Sequence, residues 1–84
     1  MTLPQQIRDF VTSNFYVADP NTLEDRTSLL DQGIIDSTGV LEVIMFIEST
    51  FGMTVEDSEM LPENLDSIER IAAFVARKQV AIAA

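Results

Sequence analysis

The chain has 84 residues, a formal net charge of −9, no cysteine and no histidine. Its length supports one domain with a modest core, near the marginal end of surface-to-volume scaling. Without cysteine there is neither a disulfide framework nor a thiolate zinc site, and without histidine a self-contained hydrolase lacks its usual general base. The acidity works against nucleic acid and favours basic patches on other proteins, with steering that salt weakens. Met1-Thr2-Leu3-Pro4 holds no charged region followed by an apolar run, and no stretch reaches the roughly 20 apolar residues of a membrane span. We therefore expect one soluble, cytoplasmic, monomeric domain over 1–84, its core at 3–78, with no membrane insertion and no bound metal.

Thr2 to Phe15 reads as the first helix. Thr2 caps it, Pro4 is tolerated in the first turn, and Ile7, Phe10, Val11 and Phe15 form a buried stripe. Tyr16 to Ile35 is a long connection that opens on the turn signal Asp19-Pro20-Asn21. Leu23, Leu29, Leu30, Ile34 and Ile35 pack it, and Ser28-Leu29-Leu30-Asp31 is expected to form a single helical turn.

Asp36 is a good N-cap, and apolar residues then recur at Val40, Val43, Ile44, Ile47 and Phe51 on one helical face. The second helix is thus predicted over Ser37–Phe51, with Ser37 at its first position and its hydroxyl in water. Free N–H groups and the positive end of the helix dipole favour an anion there, by about 0.3–1 kcal/mol. Gly39 costs about 1 kcal/mol relative to alanine, and is expected to leave the surface beside Ser37 open to close approach. At about 100° per residue, Thr38, Glu42, Met45 and Ser49 share the outer face, with Met45 a flexible apolar contact and Glu42 and Glu48 flanking it.

Gly52 ends the helix in the left-handed conformation, and Met53 and Val55 return to the core. Glu56 to Leu65 is acidic and contains Pro62, so only a short third helix fits. No stretch has the ligand spacing of an EF-hand. The last helix is expected to open on a capping box between Asp66 and Glu69 and to bury Ile68, Ile71, Ala72, Phe74 and Val75. Arg77 and Lys78 would lie near its C-terminus, with Val80 to Ala84 frayed. The sum is an all-α, small four-helix bundle, three main helices plus one short one with a long first loop. A margin this thin makes a soft, breathing bundle.

The run Gly33-Ile34-Ile35-Asp36-Ser37, Glu42 five residues on, the apolar helix ending at Phe51-Gly52, and Leu61-Pro62-Glu63-Asn64-Leu65-Asp66-Ser67-Ile68 together resemble the acyl carrier protein family, including its aminoacyl and peptidyl carriers. The resemblance covers Ile7 to Val75. It implies that Ser37 receives 4'-phosphopantetheine from coenzyme A through a phosphopantetheinyl transferase, and that Asp36 serves both as helix cap and in transferase recognition. It implies further that Thr38, Glu42, Met45 and Glu48 meet partners. Those partners would be an acyl- or aminoacyl-loading ligase and downstream synthase enzymes with basic docking patches. Thr38 stands where the family most often has leucine, which bears on the partner set rather than on the attachment site.

The leading expectation is a carrier, not an enzyme, holding acyl intermediates as thioesters for fatty-acid, polyketide or related synthesis. A standalone aminoacyl carrier loaded by a separate adenylating ligase is the alternative in cargo. A non-covalent acidic interaction module, with Ser37 only a cap, is the alternative in class. An aspartic-protease half-site in Asp36-Ser37-Thr38-Gly39 fails, since glycine is displaced and paired aspartates in a larger scaffold are needed.

Overall fold

Helix α1 (Leu3–Asn14) begins where Thr2 and Gln5 satisfy each other. The Thr2 hydroxyl accepts the Gln5 N–H at 3.3 Å, and the Gln5 side-chain oxygen accepts the Thr2 N–H at 3.1 Å. This is a complete capping box, with the glutamine doing what a glutamate more often does. Phe15 is extended and ends the helix. The computed structural model describes residues 2–83, the side chains of 82 and 83 excepted.

The long connection is built from turns. The Asp19 carboxylate accepts the Asn21 N–H at 3.1 Å, setting up a 3-10 turn over Pro20–Thr22. Leu23, Leu29 and Ile35 are buried beneath it. At Ser28–Gln32 the expected helical turn is a single loop of hydrogen bond, from the Gln32 N–H to the Ser28 carbonyl at 3.1 Å, and it does not propagate. Gly33, at φ 68°, turns the chain out of it.

Helix α2 spans Ser37–Phe51, as the periodicity predicts, and stops at Gly52 in the left-handed region (φ 65°, ψ 39°). Val43, Ile44 and Ile47 enter the core, each contributing about 1.5–3 kcal/mol by burial. The seam with α1 is aromatic: Phe10 stacks on Phe46 at 4.2 Å, and Phe15 and Phe51 meet that pair edge-on at 5.8 Å.

A second 3-10 turn (Asp57–Glu59) precedes the short helix α3 (Pro62–Leu65), which Pro62 opens at its first position. Helix α4 (Ile68–Ala83) packs against α1 and α3 and buries Ile68, Ile71, Ala72, Phe74 and Val75. No strand occurs among the described residues. The four helices make the all-α bundle expected.

Two expectations about α4 are corrected. Its start is capped by Ser67, whose hydroxyl accepts the Arg70 N–H at 3.0 Å, rather than by an Asp66–Glu69 box. Asp66 is drawn away to the long connection, and the Glu69 N–H goes to the Asp25 carbonyl at 2.8 Å. The helix also runs on through Ala83, so Arg77 and Lys78 sit in its interior and Val80 is helical rather than frayed. Both cations find local partners: Arg77 donates to Asn64 at 2.9 Å, and Lys78 reaches Glu59 at 2.7 Å. Ala84, the end of the expected frayed segment, lies outside the described residues.

Candidate functional site

The site is assembled at the N-terminal end of α2. Asp36 has extended backbone, and its Oδ1 accepts the Gly39 N–H at 2.8 Å. Its carbonyl accepts the Val40 N–H at 2.9 Å, so the cap residue both closes and starts the helix. Ser37 follows as the first helical residue and is exposed. A hydroxyl so placed stands beside the helix-start N–H groups that have no carbonyl one turn back. A phosphodiester on Ser37 fits this environment, with its charge at the favourable end of the helix dipole.

Gly39 has a different role from the one expected of it. It is buried, and a Cβ there would stand 3.0 Å from Phe15 Cε1 and 3.1 Å from Ile35 Cβ. The missing side chain makes room for the core beneath the serine, not for a visitor above it. The first turn of α2 is thereby pressed onto the end of α1 and onto the last residue of the long connection.

Thr38, Glu42, Met45 and Ser49 are exposed on α2 as the helical spacing predicts. Leu41, absent from the residues singled out in the sequence, is 55% exposed, and Met45 is 66% exposed. Ser37, Leu41 and Met45 are spaced four residues apart, which stacks them along one edge of the helix. That spacing was available in the sequence. Leu41 is hidden there by the surrounding run of apolar residues, most of which are core.

Glu48, three residues after Met45 on the same edge, differs in its surroundings. It is half-buried, and its Oε2 accepts the Val55 N–H at 2.9 Å, tying down the loop that leaves α2. Its carboxylate is thus engaged within the chain.

Beside the serine's turn, Val40 joins Leu30, Met60, Leu61, Pro62 and Leu65 around an apolar cavity of about 110 Å³. Val40 lies three residues after Ser37, so the cavity opens between α2 and α3 near the helix start. A larger open groove, about 720 Å³, lies along Gly52, Met53, Phe74 and Lys78. It adjoins the opposite end of α2, roughly 22 Å away at 1.5 Å per residue, and cannot serve the serine directly.

Comparison with known proteins places most of the chain among relatives of one family. A family model described as the phosphopantetheine attachment site matches residues 5–75. Over 79 residues the chain is 30% identical to the D-alanyl carrier protein of Streptococcus uberis, covering 94% of this chain and 98% of the relative. It is 31% identical over 55 residues to the D-alanyl carrier protein of Abiotrophia defectiva, covering 66% and 70%. It is 29% identical over 75 residues to the acyl carrier protein of Campylobacter hominis, covering 89% and 91%. No helix of the described residues is long and apolar enough to cross a membrane.

Proposed function

This chain belongs to the phosphopantetheine attachment-site family of carrier proteins, and we propose that its Ser37 is the residue that carries the 4'-phosphopantetheine arm. The single observation that supports this most is the position of Ser37: exposed, first in α2, and directly after the cap residue Asp36. The arm's thiol holds the cargo as a thioester, and separate enzymes load, modify and unload it. The chain itself supplies an address and a docking face rather than catalysis.

On this reading Asp36 fixes the serine at the helix start and is part of what the phosphopantetheinyl transferase recognises. Thr38, Leu41, Glu42 and Met45 form the face that partners meet, with Glu42 answering basic residues on a loading ligase or a synthase. Glu48, given its bond to Val55, contributes to that face only through its place in the helix.

We assign acyl groups as the cargo, destined for fatty-acid, polyketide or related synthesis. The apolar cavity beside Val40 supports this, since it offers the start of a thioester-bound chain an apolar wall. An aminoacyl cargo is the second reading, favoured by the two D-alanyl carrier relatives. Loading the arm-bearing protein with an acyl ligase and with an adenylating aminoacyl ligase separates them by which thioester forms. Slowed hydroxylamine cleavage of a bound acyl chain, relative to a free model thioester, is expected if the cavity receives it. Equal rates would place the chain in solvent.

Attachment is tested by transfer from a fluorescent coenzyme A analogue with magnesium and a broad-specificity transferase. Label on the wild-type chain and none on Ser37→Ala is the expected result. Label on both would move the site elsewhere, and label on neither would leave a non-covalent interaction module.

A further inference from the structure

Asp66 ties together two segments that lie far apart in the sequence. Its Oδ2 accepts the Ser28 hydroxyl at 2.7 Å, its Oδ1 accepts the Leu30 N–H at 3.0 Å, and its carbonyl accepts the Leu29 N–H at 2.7 Å. These bonds span 36 to 38 residues of sequence. They join the junction of α3 and α4 to the middle of the long connection. Asp66 does not cap α4, which Ser67 does, and among the described residues it pairs with no cation. Both carboxylate oxygens are given to the connection.

The consequence is carried forward by the backbone. The Leu29 carbonyl accepts the N–H groups of Ile34 and Ile35 at 2.9 and 3.3 Å, so fixing Leu29 fixes the chain five and six residues on. Ile35 packs against Gly39, and Asp36 caps the Gly39 N–H. An unbroken series of contacts thus runs from Asp66 to the turn that presents Ser37. Between Ser28 and Ser37 the chain forms no helix and is shaped by a few turn bonds, among them those from the Gln32 N–H to the Ser28 carbonyl and from the Gly33 N–H to the Leu30 carbonyl, so its anchorage to the rest of the bundle matters.

We propose that Asp66 is a positioning residue for modification of Ser37: it clasps Ser28, Leu29 and Leu30 so that Ile34–Ser37 are held in the conformation a transferase recognises. The inference rests on the reading of Ser37 as the attachment site. Without the carboxylate the connection keeps the backbone bonds from the Leu29 N–H to the Asp66 carbonyl and from the Glu69 N–H to the Asp25 carbonyl but loses its hold at Ser28 and Leu30. It therefore samples other shapes there, and apparent affinity falls by the fraction of chains that remain competent. Binding restores the shape in the complex, so the loss falls on KM and leaves kcat in place.

The test is steady-state transfer from coenzyme A to the unmodified wild-type chain, Asp66→Ala, Asp66→Asn and Val11→Ala, with amide exchange measured on each. If about a tenth of Asp66→Ala is competent, KM rises about tenfold while kcat stays within about twofold. Asp66→Asn keeps a side-chain oxygen acceptor and recovers part of the loss. Val11→Ala, which opens the core at the completely buried α1 position, lowers Tm without raising KM. Exchange quickens at Leu30, Ile34 and Ile35 in Asp66→Ala. Unchanged KM and exchange in a folded Asp66→Ala, or an equal rise of KM in Val11→Ala, overturns the proposal while leaving Ser37 as the site. A wild-type chain that accepts no arm overturns both.

Discussion

The ring of Phe15 lies against Gly39, 3.0 Å from where a Cβ would stand, with the Ile35 Cβ at 3.1 Å on the same spot. Gly39 is helical with φ in the ordinary range, so alanine brings no backbone strain and gains about 1 kcal/mol in helix propensity. Overpacking costs about 1–3 kcal/mol, and Ile35 Cβ, fixed to its backbone, cannot yield as a ring can. Gly39→Ala is therefore expected to lose about 1 kcal/mol net in urea unfolding. A stabilised variant would show that the contact is slack.

The start of α4 gives predictions of different size for two nearby residues. Ser67→Ala removes the oxygen that caps the Arg70 N–H and should cost about 1 kcal/mol. Glu69→Ala, at an exposed side chain whose backbone N–H is already held by Asp25, should stay within about 0.5 kcal/mol. Thermal unfolding of the two variants decides it, and equal losses would restore the capping box.

Glu59 and Lys78 set a pH dependence. The bond from Lys78 and then the backbone N–H of Glu56 hold the Glu59 carboxyl below its ordinary value of 4.5. A folded pKa below the unfolded one means that this stabilisation is complete above the unfolded value and is lost as pH falls through the folded one. Lys78→Gln should cost about 1 kcal/mol at neutral pH. The gap to wild type should shrink as the pH is lowered below 4.5. A gap that stays constant to low pH would mean that Lys78 acts through packing on Phe74 instead, 5.7 Å away.

On α2 the exposed face and the tethered glutamate should separate in their effects. Leu41→Ala and Met45→Ala, at exposed positions, are expected to leave stability within about 0.5 kcal/mol. Each should raise the transferase KM about fivefold, equivalent to about 1 kcal/mol. Glu42→Gln should raise it less, with an effect that fades as salt is added. Glu48→Ala should do the reverse of Leu41→Ala, losing about 1 kcal/mol of stability through the Val55 N–H with little change in KM. Urea unfolding beside transfer kinetics checks all four.

Where periodicity and cap chemistry agree, as at Asp36, Phe51 and Gly52, the sequence is enough to place α2 to the residue. The same holds for the buried stripes of α1 and α4, because helical spacing alone decides which side chains face inward. The departures share a cause. Asp66 looks like a cap by local rules, and only the fold reveals that Ser28 and Leu30, far off in sequence, compete for it successfully. Gly39 looks like an opening beside the serine until Phe15 and Ile35 are seen to fill the space. Glu48 is acidic beside Met45 and looks like part of the partner face, while its acceptor role depends on how the loop after Gly52 folds back. Local chemistry thus placed the serine and its cap, and tertiary competition determined what supports them.

The most direct measurement is the intact mass of the chain before and after incubation with coenzyme A, magnesium and a broad-specificity phosphopantetheinyl transferase, followed by peptide mapping. We predict a gain of one phosphopantetheine, mapped to the peptide containing Ser37 and absent from Ser37→Ala. An unchanged mass in a folded wild-type chain, or a gain mapped to another residue, would contradict it.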